Sequence, residues 1–393
     1  MRFVGIDVAS EHHAVAAVDA QSATLIRSTS FTEDAAGYRK LFELLGPSSD
    51  TMVVMEATGH YWKNLFAHLA AHGFAVALIN PLRTRRHAEE DLARTKTDAI
   101  DALGLARFGA EKRPAATVLN DTATEELREL VRHRERLMLD FGDRVRQLHR
   151  LVDLGFPEFT RHVRTLDSEL ATAILHECPT AKSFQSISLK RLARMRYDGR
   201  HRVGEELART LLEAAKVSVG QHHGEAYRLQ VRHTCEDLDL WRRRLCDLDR
   251  HLEDKLAAHE VGTLLTTIDG IGPHTAARLI AELGDPARFE SGRTLAAYLG
   301  VVPGLKHSGK RQPLRAGLTP IGHARLRAAL WMPTLTAVRK NAWLKRHYDR
   351  LRARGKLPKV AMVACMHKLL FAVHSVARNR RAFVPHLDPA EVT

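Results

Sequence analysis

The chain has 393 residues, with 60 Lys and Arg against 46 Asp and Glu and a formal net charge of +14. That length accommodates two or three domains with substantial cores, and a sequence pI of about 9.9 argues against an ordinary small-molecule enzyme and for a polyanionic partner. The four cysteines, Cys178, Cys235, Cys246 and Cys365, are scattered with no CxxC pair, so neither a disulfide framework nor a zinc ribbon is supported.

Residues 1 to about 112 read as α/β. FVGIDVA and AVAAVDA are short apolar strands joined by the SEHH turn, and ATLIRSTSF is a third strand. AAGYRKLFELL is an amphipathic helix, TMVVMEA a buried strand, YWKNLFAHLAAHG a helix stopped by Gly73, and FAVALIN a strand ended by Pro81. DAIDALGLARFGA closes the segment as a helix. Three strands followed by helix, strand, helix, strand, helix is the order expected of a ribonuclease-H-like domain. The 23 histidines show no metal-ligand spacing, and His12-His13 and His222-His223 read as surface pairs.

From about residue 122 long helices take over. Leu127, Val131, Arg134, Met138, Phe141, Val145, Leu148 and Val152 follow alternating four- and three-residue steps, the spacing of a coiled-coil seam. Leu238, Trp241, Leu245, Leu248, Leu252 and Leu256 form a second run. The two would pair as an antiparallel hairpin, associate between subunits, or form a plain bundle core. Residues 155–235 between them read as a helical insert that includes the Arg-rich LKRLARMRYDGRHR.

A third segment starts near 262. Gly270 and Gly272 place a Gly-x-Gly turn between two helical stretches, a helix-hairpin-helix pattern whose turn amides can hold a DNA phosphate. The helix TLAAYLG, the basic loop VVPGLKHSGKRQPLRAGLTPIG and the helix HARLRAALWMPTLTAVRKN follow. From Ser291 to Leu387 twenty Lys and Arg face one acid, Asp349, so this segment carries +19 and leaves −5 for the rest of a chain whose net charge is +14. A basic module of this kind should bind phosphates in a strongly salt-dependent way. The chain starts directly in a strand, without a charged-then-apolar leader. No apolar run approaches the roughly 20 residues of a membrane span. The expectation is a soluble cytoplasmic protein with no membrane partner.

Four carboxylates carry the chemistry. Asp7 and Glu56 each close an apolar strand, and Asp98 and Asp101 stand three residues apart on one helix face. Acids gathered this way repel unless a cation lies between them, and oxygen-only ligands suit Mg²⁺ or Mn²⁺ rather than zinc. An acidic metal site on a basic chain points to phosphodiester chemistry.

GIDVA, EATGHYW, INP, KTDAIDA, IDGIGPHTAARLIAELGD, YLGVVP, HSG and GHARLRAALWMP occur in that order. With them the chain resembles, over nearly its whole length, the DEDD-type transposases of small bacterial insertion sequences, also called bridge-RNA-guided recombinases. The resemblance implies a RuvC-like (Holliday-junction-resolvase-like) metal-binding domain over 1–115 and a helical coiled-coil region over 116–260. It implies a mainly helical transposase domain over 261–393, bearing a nucleophilic serine. It assigns Asp7, Glu56, Asp98 and Asp101 to the metal and Ser308, in HSG, to the nucleophile. DNA, a noncoding guide RNA and a homo-oligomer, dimer or tetramer, are the implied partners, with the protein nucleoid-associated when on DNA. Lys306, Lys310, Arg311 and Arg315 around Ser308 would neutralise a phosphorane-like transition state. A phosphoserine link would conserve the broken bond's energy, in keeping with the absence of a GxxxxGK[ST] loop. Because the acids and Ser308 belong to different segments, a site using both requires a fold-back or a second subunit.

Two departures from the family pattern stand out. The expected Ser/Thr-Lys-x-Gly turn reads Thr319-Pro320-Ile321-Gly322, so Arg315, Arg325 or Arg327 would take the lysine's place. The stretch between the acids and Ser308 is also longer than the pattern. Three other functions fit parts of the sequence. A metal-dependent structure-selective endonuclease would use water as nucleophile. A sugar-kinase or actin-like ATPase shares the Gly-Ile-Asp strand but needs a second Gly-rich loop, which is absent. A catalytically dead RNA-binding module is opposed by the intact acid set.

Overall fold

The apolar runs of the first segment form one five-stranded sheet. Its strands are β1 (Arg2–Asp7), β2 (His12–Val18), β3 (Thr24–Thr32), β4 (Thr51–Glu56) and β5 (Ala75–Ile79). Their order is β3-β2-β1-β4-β5, antiparallel across β1, β2 and β3 and parallel from β1 through β4 to β5. This computed structural model describes residues 1–90, 97–306, 314–318 and 321–385. It divides into two units, Met1–Leu119 and Asn120–Thr393; the segments 116–260 and 261–393 fall together in the second.

Alternation along the strands sorts the side chains to two faces. Val4, Ile6, Val53 and Met55 pack with helices α1 (Ala35–Leu45) and α2 (Trp62–Ala71). Phe3, Met52 and Val54 point the other way, toward Leu105, Ala106 and Phe108 of α4 (Asp98–Lys112), which follows α3 (Pro81–Glu90). Helix α4 is seated on bare backbone. A Cβ at Gly5 would stand 2.0 Å from the Ala102 carbonyl oxygen and 2.3 Å from the Ala106 nitrogen, and one at Gly109 would stand 2.8 Å from Val54. Gly5→Ala therefore forces the helix off β1. It is expected to destabilise the first unit by about 3 kcal/mol, as overpacking of a tight core does, read as a lowered thermal transition.

The second unit opens with α5 (Thr122–Gly155), continues through the insert helices α6 (Phe159–His162), α7 (Glu169–Glu177), α8 (Ala181–Phe184), α9 (Leu189–Arg194) and α10 (Glu205–Lys216), and returns along α11 (Glu225–Ala257). The two long helices pair within the chain as an antiparallel hairpin: Glu126 meets Lys255, Arg134 meets Asp249, and Arg144 meets Asp237 at 3.1 Å. Their apolar seam is buried at both ends, where Leu148, Val152 and Leu238 join the insert core and Leu127, Val131, Leu252 and Leu256 join the C-terminal core. At mid-length Leu137 is buried, while Met138 and Leu139 are 43% and 70% exposed.

The C-terminal core is built from α12 (Glu260–Leu265), α13 (Pro273–Leu283), α14 (Gly292–Leu299), α15 (Ala324–Ala329), α16 (Trp331–Lys340), α17 (Ala342–Ala353) and α18 (Pro358–Asn379). Three expectations need correction. The single helix HARLRAALWMPTLTAVRKN breaks at Leu330, because Pro333 lacks an N–H and its ring crowds the carbonyl one turn back. The basic loop contains two antiparallel strands, β6 (Pro303–Lys306) and β7 (Leu314–Leu318), with Lys306 opposite Leu314 and Leu305 opposite Arg315. And α18, 22 residues long with a mean hydropathy of 1.6 over its most apolar stretch, meets the length and composition of a membrane span. It is apolar nearly all round because it is the central core helix, and Cys365, Leu369, Leu370 and Val373 are fully buried.

Candidate functional site

Asp7 ends β1 and Glu56 ends β4. With Ile6 paired in parallel to Met55, both carboxylates leave adjacent strands at one sheet edge. Parity directs both to the α4 face, since Phe3, Gly5 and Asp7 alternate with Val4 and Ile6, and Met52, Val54 and Glu56 with Val53 and Met55. Helix α4 runs antiparallel to β1, because Gly109 sits over Phe3 while Ala102 sits over Gly5. From Gly5 the strand advances about 6.6 Å to Asp7, and from Ala102 the helix retreats about 6 Å to Asp98. The acidic first turn of α4 thus comes level with the strand ends. Thr97 caps it, its side chain accepting from the Ile100 amide at 3.3 Å, and the helix dipole favours Asp98 and Asp101 there.

The fold brings Asp7 and Glu56 to one edge and one face, with the first turn of α4, which carries Asp98 and Asp101, level with them. Asp98 is exposed, and Asp7, Glu56 and Asp101 are half-buried. Among the described residues no three Asp, Glu, His or Cys side chains converge tightly enough to enclose an ion as they stand. Glu56 instead accepts from the hydroxyls of Thr58 at 2.9 Å and Thr84 at 2.6 Å. Neither hydroxyl carries charge, so both orient the carboxylate while leaving its negative charge intact. The donor set fits a hard divalent cation: carboxylate oxygens only, partly solvated, adjustable by side-chain rotation.

One group at this edge escaped the sequence reading. His13 is not a surface residue. It is buried on the opposite face of the sheet, and its ring meets Glu33 at 2.6 Å through Nε2. Its Nδ1 accepts from the amide of Ala9, two residues beyond Asp7, at 3.2 Å, so Nε2 carries the proton toward Glu33. Glu33 also accepts from Tyr38 at 2.7 Å and Asn64 at 3.2 Å. Burial opposes its charge, but these hydrogen bonds outweigh it and hold the carboxyl below the usual range. The cluster fixes the backbone that carries Asp7. A polar dipeptide gives no local sign of this, since Glu33 and Tyr38 come twenty and more residues later.

In the second unit Ser308, Lys310 and Arg311 lie outside the described residues. Lys306 ends β6, and Arg315 stands opposite Leu305 on β7. Gly270, at φ +98°, packs against the Ala337 backbone of α16, where a Cβ would come within 2.5 Å of Ala337 Cβ. Gly272 is the N-cap of α13, with open space around it. Arg327 donates to the Leu299 carbonyl at 3.0 Å, and Arg325 pairs with Glu135 and with Glu282 at 3.4 Å. Both guanidinium groups thus already serve the fold.

Glu282 is the hub of that last cluster. It is buried and meets Arg132 at 3.2 Å and His323 at 3.1 Å. Burial opposes its ionisation, but hydrogen bonds from His323 and Arg132 and the charges of Arg132 and Arg325 prevail and bring its pKa down to about 2. A carboxyl lowered on folding adds stability above its unfolded value near 4.5 and loses it as pH falls toward 2. The amount is about 3 kcal/mol at neutral pH, at 1.36 kcal/mol per unit. The wild-type transition should fall steeply between about pH 4.5 and 2. Glu282→Gln should flatten that slope and lower the neutral-pH transition, as measured by thermal unfolding across a pH series.

Residues 4–157 match a protein family described as a transposase, and residues 262–349 match the transposase IS116/IS110/IS902 family. The chain is 29% identical, over 99% of its length and 98% of the relative's, to a protein named for transposition of the mini-circle IS117 of Streptomyces coelicolor. It is 27% identical, over 98% and 96%, to an insertion element IS116 protein of Streptomyces clavuligerus. It is 24% identical, over 97% of each chain, to a pilin gene-inverting protein of Moraxella bovis.

Proposed function

We propose that the chain is a transposase of the IS116/IS110/IS902 type, which its two matched segments and its full-length relatives support, and that it cuts and rejoins DNA through a covalent phosphoserine at Ser308, with a divalent ion, Mg²⁺ or Mn²⁺, held by Asp7, Glu56, Asp98 and Asp101. What supports this reading is that Asp7 and Glu56 end adjacent strands of a β3-β2-β1-β4-β5 sheet on one face, with the acidic first turn of α4 level with them. That strand order also supports the ribonuclease-H-like, RuvC-like assignment of the first unit.

A divalent ion at this edge would polarise a phosphate oxygen and offset developing negative charge. The protein's own residues do the rest. Thr58 and Thr84 hold Glu56 in orientation, and the His13–Glu33 pair steadies the backbone after Asp7. Ser308 Oγ forms a bond to phosphorus as the leaving strand's oxygen departs with a proton, and attack by a second strand's hydroxyl on the phosphoserine reverses the step. Lys306, Lys310, Arg311 and Arg315 meet the charge that builds on phosphorus.

The +19 of residues 291–387 supports a polyanionic partner beyond the cleaved site. A noncoding RNA that pairs with donor and target DNA is the partner the resemblance adds. The exposed Met138 and Leu139 at mid-length of α5 support assembly into a dimer or tetramer. The second reading is a structure-selective endonuclease with water as nucleophile, which the acid edge alone would also serve. Incubation of the protein with Mg²⁺, RNA transcribed from the element's flanks and labelled DNA separates the two. A denaturant-stable protein–DNA adduct is the expected product, whereas cleavage without adduct would leave the hydrolytic reading.

A further inference from the structure

The insert between the long helices carries a surface that the chemistry above does not use. We propose that its β-turn, with the end of α9 leading into it, binds single-stranded nucleic acid, taking phosphates on arginine side chains and a base against Tyr197 and His201. The proposal rests on the reading of the protein as one that handles nucleic-acid strands.

The stretch LKRLARMRYDGRHR, residues 189–202, holds six Lys and Arg and one acid. The chain leaves α9, reverses at Gly199 with φ +72°, and returns with Arg196 bridged to Arg202. Val203 donates to the Met195 carbonyl at 3.0 Å and Gly204 to that of Ala193 at 3.1 Å, while Leu192 and Val203 are anchored in the insert core. Asp198 forms no ion pair with the arginines of the turn. Its carboxylate is consumed within the turn, accepting from the amides of Arg200 at 2.9 Å and His201 at 2.6 Å and from His201 Nδ1 at 2.6 Å. Arg191 is taken by Glu177. Lys190, Arg194, Arg200 and Arg202 are exposed and, among the described residues, have no carboxylate partner.

With six cations against one acid, residues 189–202 are more strongly basic than an ordinary solvated surface. The backbone of the turn is held by these hydrogen bonds, so the turn itself needs little further ordering on binding. The rings of Tyr197 and His201 lie nearly parallel, 20° apart with centroids at 6.0 Å, beside the arginines. Flat π-faces interleaved with cations are the surface on which unstacked bases sit. A base inside a duplex offers no free face, so the ligand is a single strand. RNA and DNA share this chemistry, and the test separates them.

The full chain is irradiated with short mixed-sequence RNA or DNA, without metal, and crosslinked peptides are mapped by mass spectrometry alongside binding by fluorescence anisotropy. Crosslinks at Tyr197 or His201 are expected, and the strand type that gives them identifies the ligand. The Arg194→Ala, Arg200→Ala, Arg202→Ala triple variant should lower that crosslink about tenfold and reduce the salt-dependence slope by about 2, from three phosphate contacts at roughly 0.7 each. Asp198→Asn raises the positive charge while loosening the turn, so a weaker Tyr197 crosslink supports a shaped site and a stronger one overturns it. Crosslinks confined to other segments, with the triple variant unchanged, would also overturn it. Because no cleavage is required, a covalent phosphoserine adduct without turn crosslinks removes only this proposal, and turn crosslinks without cleavage remove only the catalytic one.

Discussion

Alanine at Asp98 or Asp7 is expected to lower metal-dependent strand cleavage by about a thousandfold or more while leaving the protein folded. A bound divalent ion supplies several kcal/mol of charge stabilisation in phosphoryl chemistry, and about 4 kcal/mol corresponds to three decades in rate. The two positions test different supports of one site, the strand end and the first helical turn. Asp98 is the cleaner probe because it is exposed. Its removal costs only about 0.3–1 kcal/mol of helix-dipole interaction, so lost activity cannot be blamed on unfolding. Glu43→Ala, an exposed acid on α1 across the sheet, should cleave like wild type. Raising Mn²⁺ should partly restore Asp98→Asn, whose amide oxygen still offers one ligand. Wild-type cleavage by Asp98→Ala at limiting Mg²⁺ would remove the helix turn from the site.

The five strands and helices α1, α2 and α4 of the first unit were legible because each shows its period locally, whereas α3 (Pro81–Glu90), mostly polar along its length, was not anticipated. AAGYRKLFELL became α1 from Ala35 to Leu45, and TMVVMEA ended as β4 at Glu56. The alternation that makes a strand also decides which face its last residue takes, so the direction of Asp7 and Glu56 follows once the sheet is known. Two glycines did what no periodicity announces. Gly5 and Gly109 let α4 lie on bare backbone, and that contact alone brings Asp98 and Asp101 level with the strand ends. His13 and Glu282 were illegible for another reason. Each is a polar residue made tolerable in the interior by partners far along the chain: Glu33 and Tyr38 for the first, Arg132 and His323 for the second. The α18 helix shows the reverse, an apolar stretch whose composition fits a bilayer and whose partners are α14 and α17.

Ser308→Ala is expected to abolish the covalent protein–DNA adduct altogether, with binding to DNA and RNA retained. A nucleophile cannot be replaced by a neighbour's hydroxyl unless that hydroxyl reaches the same phosphorus, and the nearest serine in the segment, Ser291, is already committed. Its Oγ accepts from the Thr294 amide at 3.2 Å and caps α14. Ser291→Ala should therefore cost about 1 kcal/mol of stability and leave the adduct intact. Ser308→Cys is the sharper test, since a thiolate can attack phosphorus but is a soft, poor partner for a hard cation. It should give a small amount of adduct, one that Mn²⁺ supports better than Mg²⁺. The expectation also has a structural side. In sequence, Lys306 at the end of β6 and Arg315 on β7 flank the segment that holds Ser308. Arg315→Ala should then slow adduct formation without changing the residue to which DNA is linked. An adduct of wild-type yield from Ser308→Ala, or cleavage that proceeds unchanged without any adduct, would assign the bond-breaking step to water activated at the acidic edge.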